Sequence, residues 1–147
     1  MSNLGLNYRG LGNRPVVRAL LHVQNLCNPE MLFLLETHLD NYPAECLRRS
    51  LHMDLTVIQA SDGRKGVIVL FWRWEVKVEP LYAEPNYIDV RIEEGDDKTW
   101  RFTGMYGEFR WEDKYKTWHM IRDLHGQHNL PWLIMGDMNE IFFSNEK

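Results

Sequence analysis

Close to the C-terminal end, the apolar run Leu133-Ile134-Met135 leads directly into Gly136-Asp137-Met138-Asn139-Glu140. A buried strand that delivers a carboxylate and then an amide at its tip places both where α/β proteins commonly do chemistry. The same residues also suit a turn or a helix cap, so the reading depends on whether the rest of the chain supplies partners. Three other stretches end in comparable groups. Asn7 closes a short alternating strand that carries Leu4 and Leu6. Glu36 follows the apolar run Met31 to Leu35, and Tyr106 closes a strand that begins at Trp100. If these four ends face the same way, they form one oxygen-rich site. Hard ligands of that kind suit Mg²⁺ or Mn²⁺, and no Cys or His is present in the set to favour zinc.

The chemistry open to such a site is metal-assisted attack of water on a phosphodiester. Glu36 would ligate the metal, and Asn7 would help position Glu36, the metal or the phosphate. Asp137 would orient or deprotonate the water. Asn139 would donate to transition-state oxygens or hold Asp137, and Tyr106 would hydrogen-bond a phosphate oxygen. Taken singly, each residue has an ordinary structural role: Asn7 in a Gly-rich turn, Glu36 as a cap or solvated acid, Tyr106 as a half-buried aromatic.

The elements that must position these groups can be read in order. Asn3 to Tyr8 reads as a strand that ends in the loop Arg9-Gly10-Leu11-Gly12. Asn13 suits an N-cap and Pro15 an early helical position. Val16, Val17, Leu20, Leu21, Val23 and Leu26 then recur at helical spacing up to Asn28-Pro29. Met31 to Leu35 is apolar throughout and suits a strand buried on both faces. A short helix follows Asn41-Tyr42-Pro43 to about Leu51, with Arg48 and Arg49 favoured near its C-terminus by the helix dipole. Leu55 to Ala60 and Val67 to Trp72 form a hairpin around the basic turn Ser61-Asp62-Gly63-Arg64-Lys65-Gly66. Val76 and Val78 suggest a short strand that stops before Pro80. Tyr87 to Ile92 and Trp100 to Tyr106 pair across the polar loop 93–98. A helix from about Trp111 to His125 presents Tyr115, Trp118, Ile121 and Leu124 on one face, and Trp132 to Met135 is the last strand. Helices alternate with strands but hairpins interrupt, which argues for mixed sheets with helices packed outside.

Composition narrows the function classes. The chain has 147 residues, enough for one domain or a piece of a larger one, and its 44% hydrophobic and 26% charged residues permit a packed core. No apolar run approaches a membrane span and the N-terminus lacks the form of a signal peptide, so an intracellular protein of nucleus or cytoplasm is expected. Cys27 and Cys46 make no disulfide framework and read as packing thiols. The net charge of -4 means that any phosphate-facing surface is local. Six Trp, six Tyr and six Phe are generous for this size, and most are expected in the core.

The ordered set Asn7-Tyr-Arg-Gly-Leu-Gly, Leu-Leu-Glu36-Thr, Gly-Met-Tyr106-Gly and Pro-Trp-Leu-Ile-Met-Gly-Asp137-Met-Asn139-Glu resembles the endonuclease/exonuclease/phosphatase, or deoxyribonuclease I-like, superfamily. The closest likeness is to the endonuclease domain of plant LINE-type non-LTR retrotransposons. Gly63-Arg64-Lys65-Gly66 with the following apolar strand to Trp72 also resembles that family's Gly-rich hairpin. The likeness runs from the first residues to the last. It implies an α/β fold in which two packed mixed sheets carry outer helices, a four-layer sandwich of which residues 1–147 would be the N-terminal portion.

The resemblance further implies a Mg²⁺- or Mn²⁺-dependent endonuclease site. Glu36 would be the metal ligand and Asp137 the water-activating acid, with Asn139, Asn7 and Tyr106 at the phosphate. DNA is the implied partner of a full-length ancestor, with Arg9, Arg64 and Lys65 as candidate substrate contacts. A monomer is expected, with no cofactor beyond the metal.

Two departures qualify this. Leu6 and Tyr8 replace the family's usual Trp and Cys beside the first Asn. The family's later Asp and terminal Asp-His pair have no counterpart, because His119, His125 and His128 fall at the wrong place in the motif order. The expectation is a truncated, marginally stable chain that is inactive or severely impaired. The alternatives are a non-catalytic nucleic-acid-binding remnant, using Arg9, Arg14, Arg18, Arg64 and Lys65, and a phosphatase of the same superfamily.

Overall fold

A computed structural model of the chain describes residues 1–7, 14–35, 37, 44–60 and 67–140. The elements are strands β1 (Asn3–Asn7), β2 (Met31–Leu35), β3 (Leu55–Ala60), β4 (Val67–Trp72), β5 (Lys77–Glu84), β6 (Tyr87–Glu94), β7 (Lys98–Tyr106) and β8 (Trp132–Asp137). The helices are α1 (Arg14–Cys27), α2 (Ala44–Ser50) and α3 (Lys114–His125), the last entered through a 3₁₀ turn at Trp111–Asp113. The strands form two four-stranded mixed sheets, ordered β1-β2-β4-β3 and β5-β6-β7-β8. Each has one parallel pair, β1 with β2 and β7 with β8, while its other pairs are antiparallel.

Strand parity builds the layers. In β2 every residue is buried. Met31, Phe33 and Leu35 face the second sheet and join Ile88, Val90, Ile92 and Phe102 in the central core. Leu32 and Leu34 face the other way, against Leu20 of α1 and Leu47 of α2. The continuous apolar run therefore serves two cores, as a strand covered on both faces must. Phe33 and Phe102 meet edge to face across the sheets, with centroids 5.7 Å apart. Gly104 makes room for that contact: a Cβ there would lie 2.2 Å from the Phe33 ring. On the outer face of the second sheet, Leu124 and Thr117 of α3 are buried. The order helix, sheet, sheet, helix is the α/β sandwich expected from the sequence.

Four expectations need correction. The third helix turns a different face inward. Thr117 and Leu124 are buried with Ile121 half-buried, whereas Tyr115 and Trp118 are exposed. The strand before Pro80 does not stop there but runs on to Glu84, with a register shift between Pro80 and Tyr82. Strand β5 is a sheet edge, where a residue without an N–H is tolerated. Both cysteines are exposed instead of lying in the core. The aromatics divide: Phe33, Phe71, Phe102 and Trp72 are core, but Trp74, Tyr82, Phe109, Trp111, Tyr115 and Trp118 are exposed. Among the described residues, no helix is long and apolar enough to cross a membrane. The Asn13 cap and the basic turn 61–66 lie outside the described residues.

Candidate active site

The two parallel strand pairs point their C-terminal ends at one another. Asn7 is in register with Leu35 across β1 and β2, and Tyr106 with Asp137 across β7 and β8. Strands β1 and β8 are the edges of their sheets and approach each other across the sandwich. The approach is possible because Gly5 has no side chain. A Cβ on Gly5 would lie 2.1 Å from the Met135 sulfur. Between these edges lies a cleft of about 380 Å³ with Phe33, Leu35 and Met135 as an apolar floor and Asn7, Asp137, Asn139 and Glu140 at its rim.

Asp137 is held from both sheets. The Asn7 side-chain amide donates to its Oδ2 at 3.2 Å, and the backbone N–H of Asn139 donates to its Oδ1 at 2.8 Å. Each carboxylate oxygen keeps acceptor capacity toward the cleft, since an oxygen of this type accepts more than one hydrogen bond. Asn139 adopts φ 52°, a left-handed conformation that Asn tolerates better than most residues. That turn directs its side-chain amide back to the Gly107 carbonyl at 2.6 Å. Gly107 in turn donates its N–H to the Asp137 carbonyl at 2.6 Å. The ends of β7 and β8 are thereby locked together in both directions. A Cβ on Gly107 would lie 2.5 Å from the Met138 carbonyl oxygen, and a Cβ on Gly136, at φ 154°, would lie 1.8 Å from the Met105 carbonyl oxygen. Both glycines are required by close backbone approach beside Asp137.

Of the residues singled out in the sequence, the structure brings Asn7, Asp137 and Asn139 into one hydrogen-bonded chain. Tyr106 stands beside Asp137 in register, and its half-buried ring packs against the central core. Glu36, Arg9, Arg64 and Lys65 lie outside the described residues. Leu35 and Thr37, which flank Glu36, are both buried, and Thr37 donates its N–H and its hydroxyl to the Val67 carbonyl at 3.3 and 3.1 Å. Arg14 and Arg18 are exposed on α1.

Sequence reasoning missed the second layer of the site. Lys114 donates to the Asn139 carbonyl at 2.5 Å and pairs with Glu140 at 3.3 Å, while the Trp118 indole N–H donates to the other Glu140 oxygen at 3.3 Å. The N-terminal half of α3 therefore clamps the loop that carries Asn139. The only sequence signal was the Glu after Asp-Met-Asn, which also fits a helix cap.

The donor chemistry is oxygen throughout. Among the described residues, no three His, Cys, Asp or Glu side chains cluster as a metal cage. One carboxylate with neighbouring amide oxygens suits a hard divalent cation that takes its other ligands from water and phosphate.

No protein-family model matches the chain, and no curated protein sequence matches it. Solved structures do. A humanised Danio rerio TDP2 is similar with a TM-score of 0.69 and 14% identity over 96% of this chain and 63% of that one. A mannosyl-6-phosphatase from Bacteroides thetaiotaomicron gives 0.63 and 13%, over 94% of this chain and 64% of that one. The endonuclease domain of TRAS1, a telomere-specific non-LTR retrotransposon, gives 0.62 and 12%, over 94% of this chain and 61% of that one. These neighbours are endonuclease/exonuclease/phosphatase proteins, and what this chain shares with them is the deoxyribonuclease I-like fold. The chain spans less than two thirds of the length of each of these three structures.

Proposed function

We propose that the cleft between β1 and β8 is a phosphodiester-hydrolysing site of the endonuclease type, dependent on Mg²⁺ or Mn²⁺, with DNA as substrate. The observation that carries this is the hydrogen-bonded chain Asn7–Asp137–Asn139, which joins the ends of two parallel strand pairs at the rim of one cleft. In this reading Glu36, with the Asn7 side-chain oxygen, holds the metal. The metal, when bound, polarises a phosphoryl oxygen and offsets developing negative charge. Asp137 orients the attacking water and accepts its proton through the lone pairs that Asn7 and Asn139 leave open. Tyr106 and the Asn139 amide hydrogen-bond the phosphate, and Arg9, Arg64 and Lys65 contact the neighbouring backbone. The wording of the motifs around Asn7 and Asp137 favours a plant LINE-type retrotransposon ancestry over a phosphatase. These 147 residues on their own are inactive or severely impaired. Among the described residues the side-chain hydrogen-bond partners of Asp137 are Asn7 and Asn139, while His119 meets Tyr115 edge to face and His125 lies tilted against Trp132.

The test is Mn²⁺ binding by calorimetry together with nicking of supercoiled plasmid. We expect Mn²⁺ binding that is lost in Glu36→Gln. Nicking should lie at the edge of detection, orders of magnitude below an intact site, and vanish in Asp137→Asn. Nicking undiminished in Asp137→Asn would refute the role of Asp137. Mn²⁺ affinity indifferent to Glu36 would refute the metal site, and rapid turnover would refute the impairment.

A further inference from the structure

The outer side of α3 and of the 3₁₀ turn leading into it is not the polar face expected of a surface helix. Trp111 is 82% exposed, Tyr115 57%, and Trp118 43%, and Phe109 just before them is 54% exposed. Concentrated exposure of large rings of this kind marks a surface that meets a partner. The rings are interleaved with cations. The Arg110 guanidinium lies 5.9 Å from the Phe109 ring centre, and the Lys114 ammonium lies 5.9 Å from that of Trp111. Lys114 is also the residue that grips the Asn139 carbonyl, and Trp118 bonds Glu140 at the rim of the cleft. The aromatic surface is thus continuous with the wall of the site.

We propose that this surface, Phe109, Trp111 and Tyr115 with Arg110 and Lys114, stacks the unpaired bases of a single-stranded segment adjoining the phosphodiester held in the cleft. This rests on the reading of the cleft as a phosphodiester site and names the form of substrate it takes. Three features select unpaired bases over other occupants. The core of a protein interface is depleted in Lys and Glu, whereas Glu112, Lys114 and Lys116 separate these rings. A duplex hides its base faces and offers mainly phosphate. Yet Arg110, Lys114 and Lys116 are balanced by Glu108, Glu112 and Asp113, so the surface has little net attraction for phosphate alone. Stacking on aromatic faces needs no net charge and is tolerant of sequence, because every base presents a π-face.

The experiment is fluorescence anisotropy of a labelled mixed-sequence oligonucleotide, single-stranded or annealed to its complement, titrated with the chain in EDTA so that binding is read without turnover. The single strand is expected to bind more tightly than the duplex. Trp111→Ala should weaken the single-strand complex by about 5- to 150-fold, the range for loss of one stacked base, and leave duplex binding nearly unchanged. Trp111→Phe should keep most of the affinity. Absence of a single-strand preference, or an equal loss for both forms, would overturn the proposal. So would sedimentation showing a dimer that Trp111→Ala dissociates, which would make the face an interface between copies. Failure of the catalytic reading is separable. Single-strand preference in the parent chain without any metal-dependent nicking would sink the nuclease assignment alone. Metal-dependent nicking with no response to Trp111→Ala would sink the stacking surface alone.

Discussion

Arg101→Met should be among the most damaging single substitutions in the chain. Arg101 and Asp89 are 1% and 0% exposed beneath α3. The guanidinium donates to both carboxylate oxygens, through Nε at 2.9 and 3.1 Å and Nη2 at 2.7 Å, and Nη1 reaches the Leu124 carbonyl at 2.5 Å. Thr103 donates to Asp89 at 2.6 Å and accepts from the Trp132 indole at 2.8 Å, and Trp132 lies 4.8 Å under the guanidinium. One network therefore ties β6, β7, β8 and the C-terminus of α3 together. Among the described residues, removing Arg101 leaves the buried carboxylate with Thr103 as its remaining side-chain donor and the Leu124 carbonyl with the Gln127 N–H at 3.2 Å. Breaking a buried pair in this way costs about 3–5 kcal/mol. For a chain of this length each kcal/mol moves Tm by about 2–4 °C, so a fall of roughly 6–20 °C is expected. Urea unfolding followed by circular dichroism, with the m value unchanged, measures the loss directly. The control is Asp89→Leu combined with Arg101→Met. Replacing both partners with apolar groups is often neutral or better, so the double variant should recover most of the deficit. A single variant within about 1 kcal/mol of the parent, the ordinary value of an exposed pair, would refute the argument, as would a double variant no more stable than Arg101→Met.

Two further outcomes test local geometry. Gly136→Ala would set a Cβ 1.8 Å from the Met105 carbonyl at φ 154°, whereas Gly95 has φ 66° with open space around it. Gly95→Ala should cost about 1–2 kcal/mol, and Gly136→Ala should cost more and also weaken Mn²⁺ binding; equal costs would show that the approach of β7 and β8 is not tight. Tyr87 has its phenol pushed above the ordinary range, first by burial and then by the carboxylates of Glu84 and Asp89. The folded state thus favours the neutral phenol. Its contribution is complete below the unfolded pKa and is lost as pH rises through the folded one. Tyr87→Phe should therefore lose less stability than the parent above about pH 10 in urea titrations at stepped pH, and parallel alkaline limbs would refute the role of Tyr87.

Where period and burial coincide, the sequence was a sufficient guide. The run Met31 to Leu35 had to be covered on both sides, and it is. The alternation of Tyr87 to Ile92 and Trp100 to Tyr106 set the hairpin with its loop near residue 95. Parity also brought the site together, because Gly5, Asn7, Tyr106 and Asp137 all fall on the inter-sheet face of their strands. What failed was the rotation of α3. Tyr115, Trp118, Ile121 and Leu124 recur every third residue, a spacing that drifts about 60° around the helix at each step, so Tyr115 ends opposite Leu124 and counting the four as one face misplaced the first two. The core instead took Thr117, whose hydroxyl accepts the Glu108 N–H at 2.8 Å and ties the loop after β7 to the helix. That bond satisfies a backbone group near the site, something no hydrophobic periodicity encodes.

The same distinction explains the network under α3. Asp89 and Arg101 each interrupt an apolar strand at an interior position, and opposite charges inside two hairpin strands are a legible sign of a buried pair. Their burial depends on which face α3 covers, which is the rotation the sequence misread. The two errors have one cause. A helix that buries Thr117 and Leu124 must expose Tyr115 and Trp118. The buried ion pair and the exposed aromatic surface are then two sides of a single packing choice. Relaxing the first through Arg101→Met should loosen the second, and with it the grip of Lys114 on Asn139.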